Sequence, residues 1–173
     1  MIQNNVYRIL QLFFDSPTKQ FHLREIERST GIGLPSVSNH VKKLVDEGFV
    51  KKGRKDIYQA FTANMEDQRF KVYKRNDIIL RIHDSGLIDF LEKSLLPTAI
   101  VLFGSASRGE DVETSDIDLF LLAKERDIDL KMFETKLKRR IRLLFEEDPS
   151  ELSKELLNNI INGIVLYGYL KVF

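Results

Sequence analysis

The residues of this 173-residue chain best placed to do chemistry are Gly104-Ser105, a ten-residue spacer, and then Asp116-Ile117-Asp118. Carboxylates two positions apart on a strand point to one face, roughly 6 to 7 Å apart along the backbone, and converge on one point. Hard oxygen ligands of this kind suit Mg2+, which seldom takes a full protein cage and completes its shell with water and substrate phosphates. Gly104 leaves room for a phosphate beside the backbone, and Ser105 at a helix start adds its hydroxyl to free backbone N–H groups. An isolated Asp-x-Asp often decorates an exposed strand; the Gly-Ser pair upstream is what makes this one read as a phosphate and metal site. Arg108 is close enough in the chain to form a local salt bridge with Glu110 or Asp111. With 0 Cys and 3 scattered His, carboxylates are the only plausible metal ligands.

Elements must hold these groups. Residues 99–103 are short, apolar and partly β-branched, the pattern of a buried strand running into Gly104. A second strand is predicted over 115–122, a helix over 130–140, a strand over 141–146, and a closing helix beyond Pro149 carrying Leu152, Leu156, Leu157, Ile160 and Ile161. Hydrophobic residues at 43% and charged residues at 31% allow a folded core and exclude a disordered or collagenous chain. No apolar run approaches the ~20 residues of a membrane span, and no apolar leader is visible, so the expectation is a cytoplasmic protein without a membrane partner.

The net charge of +1 conceals an asymmetry. Residues 1–75 hold 14 Lys and Arg against 8 Asp and Glu, while residues 76–173 hold 13 against 18. A basic half suggests a polyanion as its partner. Within it, residues 4–14 repeat apolar side chains at helical spacing, a second helix is predicted over 22–30, and a third starts at Leu34-Pro35, where proline suits the first turn. Val37, Val41, Leu44 and Val45 fall on one arc of that helix, which turns Ser36, Asn39, Lys42 and Lys43 outward. Residues 49–61 read as two strands around a basic turn carrying Lys51, Lys52, Arg54 and Lys55. Tyr58 and Tyr73 are expected to pack rather than stack on bases. Residues 65–96 read as a docked helical connector with a break at Ser85-Gly86, and could equally form a dimer interface.

Helix, helix, turn, helix, hairpin over residues 5–63 resembles the small winged helix-turn-helix regulators. That resemblance implies double-stranded DNA as partner, with Ser36, Asn39, Lys42 and Lys43 at base edges or backbone and Lys51, Lys52, Arg54 and Lys55 at phosphates; a protein-binding or dimerising role is the competing reading.

The G-S-x10-D-x-D pattern, with Arg108-Gly109-Glu110 and Ser115 in place, resembles the minimal nucleotidyltransferases of the DNA polymerase β superfamily over about residues 97–170. The resemblance implies a mixed sheet flanked by helices, Gly104, Ser105 and Arg108 at the nucleotide triphosphate, and Asp116 and Asp118 as the catalytic pair holding two Mg2+ ions for in-line displacement at the α-phosphorus. Active members commonly carry a third carboxylate on a later strand; here that position holds Arg142. Glu146, four residues along on the same side, could replace it only in a different strand register.

The fold expected is therefore α+β: a winged helix-turn-helix domain over 1–64, a helical connector over 65–96 and a nucleotidyltransferase domain over 97–173. Two functions follow. One is a DNA-binding regulator that transfers a nucleotide, AMP from ATP, to an acceptor hydroxyl, as when minimal nucleotidyltransferases act as antitoxins by modifying a separate HEPN ribonuclease. The other is a transcriptional regulator whose nucleotidyltransferase-like domain only binds nucleotide and Mg2+ or mediates contacts. A homodimer is expected in either case.

Overall fold

The computed structural model describes residues 4–55 and 57–171, without the Lys55 side chain. The chain divides into two compact units, residues 1–74 and 75–173.

The first unit begins with α1 (Asn5–Asp15), whose start is capped by the Asn4 side chain accepting from the Tyr7 N–H at 2.8 Å. Its apolar repeat buries Ile9, Leu10, Phe13 and Phe14. Next, α2 (Leu23–Thr30) stops at Gly31, where φ of +68° suits the residue without a Cβ. The Glu27 carboxylate accepts from the Leu34 N–H at 3.0 Å, tying α2 to the first turn of α3 (Leu34–Asp46). An antiparallel hairpin follows, β1 (Val50–Lys55) and β2 (Tyr58–Ala63), in register from Val50 with Ala63 to Lys55 with Tyr58. Asp56, assigned to the basic turn by the sequence, lies outside the described residues. Phe21, in the connection before α2, bridges Phe61 through two backbone hydrogen bonds of 2.8 and 2.9 Å. That bridge seats the hairpin on the helices, and Phe13 meets the Phe21 ring edge-on at 5.4 Å beneath it. Truncating fully buried Phe13 to Ala would cost about 3–5 kcal/mol.

The boundary between units falls within α4 (Gln68–Ser85). Residues 65–96, expected as a docked helical connector, contribute to both cores: Phe70 belongs to the first, while Ile78, Ile82 and the apolar side of α5 (Leu87–Leu95) belong to the second. Gly86, with φ of +81°, separates the two helices. The second unit continues with β3 (Ala99–Phe103), α6 (Gly104–Arg108), β4 (Ile117–Leu122), α7 (Lys131–Leu137), β5 (Ile141–Glu146), α8 (Lys154–Ile161) and β6 (Ile164–Gly168). The sheet order is β5-β4-β3-β6, with β3 antiparallel to β4 and β6 and β4 parallel to β5, a mixed sheet flanked by helices.

Strand β3 is apolar throughout because both faces are covered. Ile100, Leu102, Leu119 and Leu121 pack on one side with Ile82, Leu91, Phe133 and Leu137, whereas Val101 and Phe120 pack on the other with Ile160 of α8. Boundaries differ from the sequence reading at three places. Asp116 precedes β4 rather than alternating within it. Lys138, with φ of +55°, ends α7 before residue 140. The closing helix starts at Lys154, behind a Ser153 cap that accepts from the Leu156 N–H at 3.2 Å.

Candidate functional site

The end of β3 and the start of β4 lie side by side, with Phe103 directly opposite Asp118. The chain turns at Gly104 with φ of +72°, and a Cβ built there would sit 2.6 Å from Asp118 Oδ2. The carboxylate therefore occupies the space a side chain would fill, and Gly104 is required twice, for its backbone conformation and for that approach. On the other side Asp118 pairs with Arg142 in the unbroken β4–β5 register. Residues opposite one another in a sheet share a face, so Arg142 and Asp118 project together. Burial holds the Asp118 carboxyl above its ordinary pKa, the Arg142 guanidinium pulls it down, and Asp116 adds to the rise.

Glu146 pairs with Leu122, at the far end of both strands. Four residues of strand separate it from Arg142, about 13 Å at 3.3 Å per residue. In this register Glu146 of the same chain cannot stand in for the third carboxylate. Glu147 and Asp148 leave β5 at that far end, and Asp127 and Asp129 lie in the connection from the far end of β4 to α7.

Ser115, the residue before Asp116, is held from outside the strand. The Arg139 guanidinium binds Asp111 at 2.8 Å and the Ser115 carbonyl at 2.7 Å, and the pair is almost wholly buried. The Ser115 hydroxyl accepts from the Val112 N–H at 2.9 Å, closing the loop on itself. Sequence reasoning missed Arg139 and left Asp111 only as an alternative partner of Arg108, because both stand in charged runs that read as solvated surface. Arg108 points instead to Glu110, at 2.9 Å, in an exposed pair. Ser105 is half-buried within α6.

The donor set bears on the expected metal. Two carboxylates beside a tight glycine turn fit one Mg2+ completed by water and nucleotide phosphates. No cluster of three or more His, Asp or Glu is found among the described residues, and a cation stands in register with Asp118, so the protein ligands for a second ion are not assembled.

In the first unit Asn39, Lys42 and Lys43 are exposed on α3 and Ser36 is half-buried. On the hairpin Lys52 and Arg54 are exposed, and Lys51 is engaged by Glu66 at 2.6 Å; the Lys55 side chain lies outside the described residues. Ser38, Lys42, Lys52 and Gln59 line a cavity of about 310 Å³ between α2, α3 and the hairpin. Tyr73 meets the Phe49 ring edge-on at 5.4 Å. Tyr58, expected to pack, is 65% exposed and meets only the edge of the His22 ring among the described aromatic contacts.

Residues 85–170 match the family model for the polymerase β nucleotidyltransferase domain. The matched segment takes in α5, the whole four-stranded sheet and both aspartates, so this part of the chain is similar to nucleotidyltransferase domains of polymerase β type. No curated protein and no solved structure matches the chain. Among the described residues no helix is long and apolar enough to cross a membrane.

Proposed function

We propose that, with a polymerase β-type domain over residues 85–170, this chain is a DNA-binding regulator whose nucleotidyltransferase unit binds a nucleoside triphosphate, ATP, with Mg2+ and transfers nucleotide slowly at best. The observation that carries this reading is the register of Asp118 with Arg142. Asp116 and Asp118 would hold the Mg2+ ion, which supplies charge neutralisation at the phosphates. Gly104 lets the Asp118 carboxylate lie against the backbone, and Ser105, on the first turn of α6, would offer its hydroxyl to the phosphates. Arg142 stands where the resemblance expects a carboxylate, and a guanidinium neither ligates Mg2+ nor accepts a proton at neutral pH. Without a general base the attacking hydroxyl forgoes an acceleration of about 10²–10⁴, or roughly 3 to 5 kcal/mol of barrier.

The exposed cations of α3 and the hairpin support the DNA-binding half, because a helix fits the major groove and a basic hairpin tip reaches neighbouring phosphates. A second reading, transfer of AMP to a hydroxyl on a separate HEPN-type ribonuclease, is favoured by the intact approach of Gly104 to Asp118.

Purified protein with labelled ATP and Mg2+ tests these readings. The Asp116→Asn, Asp118→Asn double variant is expected to lose Mg2+-dependent nucleotide binding, and Arg142→Asp to raise transfer to an added acceptor. Unchanged binding in the double variant would remove the site, and rapid wild-type transfer would favour the enzyme.

A further inference from the structure

Strand β5 is an edge of the four-stranded sheet and, among the described residues, pairs only with β4. The carbonyls of Arg140 and Glu146 accept from Ile117 and Ala123 on the β4 side. Alternation then turns the N–H and C=O groups of Leu143 and Phe145 to the open edge. Natural sheets blunt such edges with charged side chains, Lys above all, with Pro or with a bulge; the charges of β5, Arg142 and Glu146, stand near its two ends. The opposite edge, β6, has this protection: its pairing with β3 shifts between Ile100 and Val101, and Gly168 has φ of +67°. By contrast, β5 runs in unbroken register from Ile141 to Glu146, has neither Lys nor Pro, and leaves Leu143, Leu144 and Phe145 half-buried.

The sequence of this edge, Ile-Arg-Leu-Leu-Phe-Glu, is complementary to itself. Turned about a two-fold axis at Leu144, a second β5 runs antiparallel to the first and sets position 142 against 146 and 143 against 145. The outward-facing positions 143 and 145 then exchange both hydrogen bonds, and 142 and 146 form a non-hydrogen-bonded pair with Cα atoms about 4.5 Å apart. Backbone phase and charge thus select the same register. No ion pair of the described residues uses Arg142 or Glu146 within the chain.

We propose that the protein forms a two-fold dimer through β5, in which Arg142 of each protomer pairs with the partner subunit's Glu146 and the two sheets join into one. The occupant is a second copy because no unlike sequence is needed to satisfy both charges. The partner subunit's Glu146 also completes a row across the sheet, Asp118, Arg142, then that carboxylate, all on one face. Dimerisation therefore offsets the cation beside the aspartate pair and couples the charge of the site to protein concentration.

Sedimentation equilibrium of the full chain without nucleotide tests the interface independently of the nucleotide reading. Wild type is expected to be dimeric. Arg142→Glu and Glu146→Arg should each weaken the dimer by about 10- to 100-fold, since each sets like charges face to face twice, and the double reversal should recover most of the loss. Hydrogen exchange in the wild type gives a second readout should a variant not fold: the Leu143 and Phe145 amides should lose protection on dilution to monomer. A monomeric wild type, a dimer indifferent to both single reversals, a double variant no tighter than the singles, or amides equally labile at all concentrations would each overturn the proposal.

Discussion

Replacing Gly104 by Ala separates the two demands made on that residue. Its φ of +72° costs an L-residue about 1–2 kcal/mol, and the new methyl sits 2.6 Å from Asp118 Oδ2. The carboxylate must retreat by about 0.8 Å to reach an ordinary 3.4 Å contact, which displaces it from the metal position proposed for it with Asp116. Gly86 provides the control within the same unit, because its φ is +81° and nothing lies within 4 Å of a built Cβ. Both variants should lower the melting temperature of the second unit by several degrees, as about 1 kcal/mol moves a domain of this size by roughly 4–8 °C. Only Gly104→Ala should also weaken Mg2+-dependent binding of a fluorescent ATP analogue, by tenfold or more. Equal binding in the two variants, or equal loss in both, would refute the assignment of Gly104 as the floor of the site.

Arg139→Ala should destabilise the second unit by about 3–5 kcal/mol in urea unfolding, because it leaves Asp111 buried without its guanidinium, and nucleotide affinity should fall with it through the loop that carries Asp116. Asp118 has a raised carboxyl pKa when folded, so the folded state holds its proton longer than the unfolded chain and stability falls as pH rises from the ordinary carboxylate range through the folded value. Asp118→Asn should therefore be more stable than wild type at neutral pH, with the gain vanishing below about pH 3, measured by thermal unfolding across pH. Duplex DNA affinity should decline with salt at a log-log slope of about −0.9 per neutralised phosphate, and replacing Lys51, Lys52, Arg54 and Lys55 with Ala should flatten it. Lys51→Ala alone should flatten the slope less than Lys52→Ala, since Glu66 already neutralises Lys51.

What the sequence revealed depended on whether a residue's neighbours in the chain were also its neighbours in space. The first helix was legible because Ile9, Leu10, Phe13 and Phe14 repeat at helical spacing and bury one face. The strand at 99–103 was legible because both its faces are covered. A single-residue bridge such as Phe21 with Phe61 has no period to detect, yet it is what seats the hairpin. The Asp111–Arg139 pair was illegible for a different reason: burial of charges 28 positions apart is a property of the fold, and each residue stands in a run that ordinarily faces water. Asp116 was displaced by one position from its expected strand. Its position relative to Asp118 consequently depends on the Arg139-braced loop, and strand alternation alone does not fix it.

Arg142 connects these observations. Beside Asp118 it subtracts one negative charge from a pair of carboxylates, leaving the protein groups at −1 and the same groups with one Mg2+ at +1. Nucleotide phosphates are still attracted to such a site, but a second divalent ion meets a guanidinium where it would need a ligand. Under the proposed function, fewer metal ions and the lack of a base would both follow from Arg142 standing where the resemblance expects a carboxylate, and both would favour retaining the nucleotide over reacting it. The same residue stands on the edge strand β5, where Glu146 of a second copy would meet it in the proposed two-fold arrangement. A residue that weakens chemistry in one protomer is then the one through which the other protomer acts on the site. That placement gives a non-catalytic reason for a cation at this position: it links occupancy of the nucleotide site to assembly.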